Sequence, residues 1–259
     1  MSIEQPDYIF LFDYAFCGTP TDFSKHLEDL ADISEDEKWT FDDSKPNDIL
    51  KKYITNTFNR CYNQKKVLIN ENQSYSCFNT GLLTPNGHDI IALFEVNRKQ
   101  NVQPWVLKGF RDNSNKDFMS IFQETPRLAT YTDNFEEYYY NPDLEIVLNT
   151  DHILDDNWDR ISSKISLDKT IVKSLLSGTL KETQQRIKRN MRLAIPQFYK
   201  NKIMYLVPLK IPIGEDTYET MALAVEKINN QYRANTIFTK EIAYEKARLL
   251  MKPESNWLL

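Results

Sequence analysis

Residues 75–96, YSCFNTGLLTPNGHDIIALFEV, carry the pattern on which the fold turns. Their two ends, 75–78 and 89–96, are short runs rich in β-branched and aromatic side chains. Asn79-Thr80-Gly81 and Pro85-Asn86-Gly87 interrupt them with residues that favour tight turns. Working outward, 66–69 and 105–110 have the same texture and Asn113 to Asn115 closes the last run, which is the signature of an antiparallel meander. A further strand is expected at 144–148. Toward the N-terminus, a helix over 46–59 puts Ile49, Leu50, Tyr53, Ile54 and Phe58 on one side. Toward the C-terminus a helical half follows. An amphipathic segment at 167–177 is expected to break at Gly178. Thr179, with Glu182 three residues on, then caps a second helix that Pro196 ends. Strands at 202–210 and 221–227, an Asn229-Asn230 turn, a strand at 232–238 and a helix at 240–251 capped by Thr239 complete the chain. No regular alternation of strand and helix appears, so the expected class is α+β, a mainly antiparallel sheet with helices packed on it, in one domain over 39–259.

The composition is that of a folded protein: 41% hydrophobic, 27% charged and 12% aromatic residues over 259 positions. The N-terminus lacks the basic start and apolar run of a signal peptide, and no apolar stretch approaches the roughly 20 residues that span a bilayer. Cys17, Cys61 and Cys77 are odd in number and widely spaced, which reads as free thiols in a reducing compartment, the cytoplasm. The net charge of −5 hides an asymmetry. Residues 1–43 carry twelve acidic side chains against Lys25 and Lys38, with Tyr8, Phe10, Phe12, Tyr14, Phe16 and Phe23 among them. An irregular strap with a short helix around 22–30 is expected there, and 1–38 is set apart as an acidic, aromatic-rich segment. Residues 181–202 carry seven basic side chains against Glu182 alone. A local patch of this kind binds phosphates whatever the total charge, because distant charges are screened.

No phosphate loop, dinucleotide fingerprint or nucleophile elbow is present, which removes those known families without removing catalysis. On a helical wheel Lys181, Lys188 and Arg192 fall on one stripe with Arg189 beside it, and Lys200 and Lys202 follow. Such a face contacts successive phosphates, or else it is a solvated surface with Glu182 and Arg186 paired at i,i+4. Asn79-Thr80-Gly81 either aims backbone N–H groups and two small polar side chains at a bound group, or makes an ordinary hairpin turn. His152 with Asp155, Asp156 and Asp159 reads as a surface loop rather than a metal site. Tyr131, Tyr138, Tyr139 and Tyr140 read as packing rather than as a platform for bases.

Four separated segments together resemble the domain of unknown function 3825 family. They are Phe78-Asn79-Thr80-Gly81-Leu82, Ile195-Pro196-Gln197-Phe198-Tyr199, Tyr205-Leu206-Val207-Pro208-Leu209, and the closing run from Tyr232-Arg233-Ala234-Asn235-Thr236-Ile237 through Ala243 to Leu249 and Asn256-Trp257-Leu258. The resemblance spans roughly 39–259 and implies one integral domain. Relatives are at times associated with RNA-binding modules of the cold-shock-like or LOTUS type, which implies RNA or nucleotide work. It also implies that a ligand site draws on Asn79, Thr80, Gln197, Arg233, Thr236, Tyr244 and Arg248. The leading expectation is therefore an RNA- or nucleotide-binding domain. Its cations Lys181, Lys188, Arg189, Arg192, Lys200 and Lys202 hold phosphates, while Asn79, Thr80 and Gln197 contact the bound group. The alternatives are a phosphoryl-transfer or hydrolytic enzyme on a nucleotide or RNA end, with Glu95, Asp155 or Glu241 as acid or base, and a protein-interaction component of a bacterial or phage operon, whose acidic N-terminal segment binds a basic partner. No membrane partner and no cofactor are expected, with Mg²⁺ entering only for the enzyme.

Overall fold

The computed structural model describes residues 9–255, 257 and 258, so the expectations placed on Tyr8 and Asn256 lie outside the described residues. Its chain divides between Thr130 and Tyr131 into two units. Each is a five-stranded, mainly antiparallel sheet with helices packed on it, so the α+β class holds with two sheets in place of one.

The first unit opens with α1 (Leu11–Tyr14) and β1 (Ala15–Phe16). Helix α2 (Pro20–Ile33) is longer than the expected 22–30 because Thr19 and Asp22 form a capping box and Pro20 pre-sets the first turn. Helix α3 (Asp48–Asn63) follows, burying the expected Ile49, Leu50, Tyr53, Ile54 and Phe58. The sheet adds β2 (Leu68–Ile69), β3 (Tyr75–Leu83), β4 (Asp89–Val96) and β5 (Trp105–Asp112) in the order β1-β5-β4-β3-β2. The meander is antiparallel, with only β1 joining β5 in parallel. Tyr14 packs against Phe58, Phe94 and Trp105, with ring centroids 4.9–6.0 Å apart, so the acidic N-terminal stretch is built into this core. On the other face Cys77, Ile91 and Leu93 meet Phe118 and Phe122, which α4 (Lys116–Ile121) and its C-cap supply.

The second unit has β6 (Ile146–Val147), α5 (Thr150–Ser162), α6 (Lys169–Ile187), β7 (Ile195–Tyr199), β8 (Lys202–Gly214), β9 (Thr217–Ile228), β10 (Gln231–Phe238) and α7 (Lys240–Arg248). Its sheet runs β6-β10-β9-β8-β7, antiparallel except that β6 joins β10 in parallel. Helices α5 and α6 cover one face: Ile153, Leu154, Ile161, Val172, Leu176, Leu180 and Ile187 pack on Tyr205, Val207, Leu209 and Val225. Helix α7 packs against β7, β9 and β10. Among the described residues no helix is long and apolar enough to cross a membrane.

Several expectations are corrected here. Gly178 breaks nothing: α6 is continuous, because Val172, Leu176, Thr179, Leu180, Thr183 and Ile187 keep one buried stripe through it. Thr179 is therefore buried mid-helix, and Asp168 caps the helix by accepting from the Thr170 and Ile171 N–H groups. Pro196 ends no helix. It lies in β7, an edge strand, where its missing N–H is tolerated. The Asp-rich stretch with His152 is the outer face of α5, not a loop. Asn79-Thr80-Gly81 makes no turn either. β3 runs on to Leu83, and the turn comes at Thr84 to His88, with Gly87 at φ +78°.

Candidate functional site

Asn79, Thr80 and Gly81 occupy a bulge in β3, where the pairing jumps from Asn79↔Ile91 to Leu83↔Asp89. Gly81 takes φ +76°, as its place in the motif suggested. The polar groups around it turn inward. The Asn79 amide donates to the Pro126 carbonyl (3.2 Å), and its Oδ1 accepts from the Gly81 N–H (2.9 Å). The Thr80 hydroxyl donates to the Ile90 carbonyl (2.6 Å) and accepts from the Leu82 N–H (3.2 Å). Asn79 and Thr80 are both buried, so their polar atoms serve the chain's own backbone. They belong to the first unit, whereas every cation of the expected site belongs to the second.

The expected basic stripe is shortened. Lys181 stays on α6, but the helix ends at Ile187, Lys188 is its C-cap, and Arg192 lies in the 3-10 turn Met191–Leu193. All three are exposed. Arg189 turns back to the Gln185 carbonyl (2.7 Å), and Glu182 pairs with Arg186 as the solvated-face reading expected. The acid–base candidates are each engaged by lysine: Glu95 by Lys108, Asp155 by Lys169 and Glu241 by Lys164. Among the described residues no group of three or more His, Cys, Asp or Glu side chains can hold a metal ion.

The second sheet gathers a different set. Gln197 pairs across the ladder with Met204, Leu206 with Ala224, and Ala224 with Thr236. Residues so paired, or two apart on one strand, share a face. This is the face opposite the α5 and α6 core, and it holds a pocket of about 420 Å³. Gln197, Tyr199, Asn235, Thr236, Phe238 and Lys246 line it, the last from α7. A register shift between Ala234 and Thr236 leaves Asn235 as the extra residue of a bulge, which is why two consecutive side chains of β10 reach one pocket.

Around the pocket the charges are ordered. Lys202 bonds to Glu226 (2.7 Å), and the Asn235 amide donates to the other carboxylate oxygen (3.2 Å). Arg233 is the register partner of Glu226. The Lys202 hydrogen bond holds the Glu226 carboxyl below its ordinary range against the opposing effect of partial burial. Lys200 and Asn201, both at positive φ, form the two-residue turn between β7 and β8. Behind the pocket, Asn157 Oδ1 accepts from the Thr236 hydroxyl (2.5 Å), the Ile237 N–H (3.3 Å) and Arg160 (2.7 Å). Gln197 is 2% exposed, and its Oε1 is shielded from solvent with no hydrogen-bond partner among the described residues. Arg248 and Tyr244 are buried in α7.

Of the residues expected at the site, Gln197, Lys202, Arg233 and Thr236 thus come to one face with Lys200 at its end. Asn79, Thr80, Lys181, Lys188, Arg189 and Arg192 are placed elsewhere. The pocket residues not anticipated are Tyr199, Met204, Ala224, Asn235, Phe238 and Lys246, although Tyr199, Asn235 and Lys246 stand in the very segments that carry the family resemblance. The family model described as Domain of unknown function (DUF3825) matches residues 30–257. The chain belongs to this family. The DUF3825 match runs through both units and starts within α2, ahead of residue 39. No curated protein and no solved structure matches the chain.

Proposed function

We propose that this DUF3825 protein binds a nucleotide or the end of an RNA strand in the pocket on the second sheet. The observation that carries the reading is a concave site lined by Lys246 and by Tyr199 and Phe238, with Lys202 and Arg233 gathered at Glu226, the carboxylate that the lining residue Asn235 also contacts. Cations of this kind hold phosphate oxygens, and aromatic faces stack on bases. The volume suits one nucleotide, in the range of ordinary ligand pockets. Three buried free thiols suit a reducing compartment, the cytoplasm.

The test is binding of a labelled ten-nucleotide single-stranded RNA and of nucleoside monophosphates at several salt concentrations. Affinity is expected to fall with salt at a log–log slope of about −0.7 per phosphate neutralised. Lys246→Ala with Arg233→Ala should weaken binding about tenfold or more and flatten that slope, whereas Lys181→Ala with Lys188→Ala should change it little. No binding by any of these probes, or loss confined to the Lys181/Lys188 variant, would remove the pocket from consideration.

A further inference from the structure

The side-chain carbonyl of Gln197 is the least explained polar group of the second unit. Burying an acceptor without a partner costs roughly 1–3 kcal/mol, and native proteins carry few such groups. Gln197 lies on an edge strand, opposite Met204, with apolar neighbours on its own face: Leu206 and Ala224 are fully buried. A methionine of similar length would satisfy that environment better. A glutamine held there lowers the stability of the unliganded fold, and it lines the pocket that the aromatic rings and Lys246 also line.

We infer that Gln197 is the specificity-determining residue of this pocket, its amide meeting the edge of a planar heteroaromatic base that presents a hydrogen-bond donor beside an acceptor. The inference rests on the nucleotide reading above and adds to it which part of the ligand enters. A primary amide is itself a donor beside an acceptor, and a half-turn about its last torsion exchanges the two, so it complements a base edge in either order. Bidentate pairing of Gln with adenine is the familiar form of this contact. Tyr199, half exposed on the same strand two residues on, supplies a ring at the mouth. Thr236 is not a competing reader, because its hydroxyl proton is committed to Asn157. Asn235 is likewise held by Glu226. The free amide of the set is the one at Gln197, while Lys246 is the cation of the lining available to a phosphate.

The experiment is calorimetric titration of the whole chain with AMP, GMP, CMP, UMP, ribose 5-phosphate and inorganic phosphate, on the native protein and on Gln197→Met, with melting temperatures of both. At least one nucleoside monophosphate should bind native protein about tenfold or more tighter than ribose 5-phosphate. Gln197→Met should bring that ligand down to the ribose 5-phosphate level while raising Tm by about 2–4 °C, because the orphaned carbonyl is gone. Opposite signs in affinity and stability are what a merely structural glutamine would not give. Equal binding of ribose 5-phosphate and every nucleotide overturns the inference and leaves a phosphate site standing. Loss of stability with unchanged affinity in Gln197→Met overturns it as well. Absence of binding by all six probes and by RNA removes the nucleotide reading itself. The comparison of base-bearing and base-free ligands needs no variant, so it can overturn the inference even if Gln197→Met folds poorly.

Discussion

Gly81 and Gly178 are two of only six glycines in the chain, and they make opposite demands on a side chain. At Gly81 the backbone is left-handed, and a Cβ would lie 2.6 Å from the Tyr53 hydroxyl. Gly81→Ala should therefore cost roughly 2 kcal/mol or more in a denaturant titration. Adding Tyr53→Phe should return part of the loss, since it removes the atom that a Cβ would strike but leaves the backbone strain. At Gly178 the backbone is helical, and a Cβ would meet nothing within 4 Å. Gly178→Ala should stabilise by about 0.5–1 kcal/mol, because alanine loses less chain entropy in a helix. A glycine serving as a helix break would show the reverse, so this substitution separates a continuous α6 from the two helices expected of its sequence. The two residues look alike in the sequence, each next to a threonine and each a reasonable stop. What distinguishes them is tertiary: one lies in a strand bulge under Tyr53, the other on the solvent side of a stripe that continues past it.

At the scale of elements, α5 closes the strand edge that β6 leaves uncovered. β6 pairs with Tyr232 and Arg233, and among the described residues no strand lies beside the outer edge of β10 beyond the bulge. Asn157 accepts from the Ile237 N–H, and Arg160 donates to the Ile237 carbonyl, so side chains stand in for a missing strand. Asn157→Ala should cost about 2–3 kcal/mol, since it strands the Thr236 hydroxyl and the Ile237 N–H together. Hydrogen exchange should show the Ile237 amide losing protection while Leu223, its partner across the ladder, keeps most of its own. Much of this architecture was legible: the meander, the β8 to β10 hairpins and α7 all follow from strand texture and turn residues. Helix α5 was not, because four aspartates dominate it, yet Ile153, Leu154 and Ile161 already held helical spacing. The site was legible only in fragments. Gln197, Arg233 and Thr236 stood out through the family resemblance. Tyr199, Asn235 and Lys246 lay within the same resembling segments without a mark of their own and Phe238 lay outside them, because a bulge, four strands of one sheet and α7 bring them to one pocket, and neither periodicity nor local motif encodes which strands share a sheet.

Over the whole molecule, the ionisable groups divide unevenly between the units. All three cysteines fall in the first and are buried, with burial pushing the Cys17 and Cys61 thiols up to about 12 and Cys77 also upward. Unfolded thiols titrate near their ordinary value of 9. A group whose folded pKa is raised holds its full contribution below the unfolded value and loses it as pH climbs toward the folded one. Stability of the first unit should therefore decline from about pH 9 to about pH 12. Replacing Cys17 and Cys61 by alanine should flatten that alkaline limb in urea titrations followed at several pH values, even where it lowers stability at pH 7. An unchanged slope would mean that the thiols are not the groups responsible.

The same burial has a practical side. Neutral thiols shielded from solvent are silent toward maleimides at pH 7, and the second unit contributes no sulfhydryl of its own. A single Ser177→Cys on the exposed side of α6 would then be the one reactive position in the native chain. A fluorophore or nitroxide could be attached there without first stripping the natural cysteines, which gives the second unit a spectroscopic address of its own.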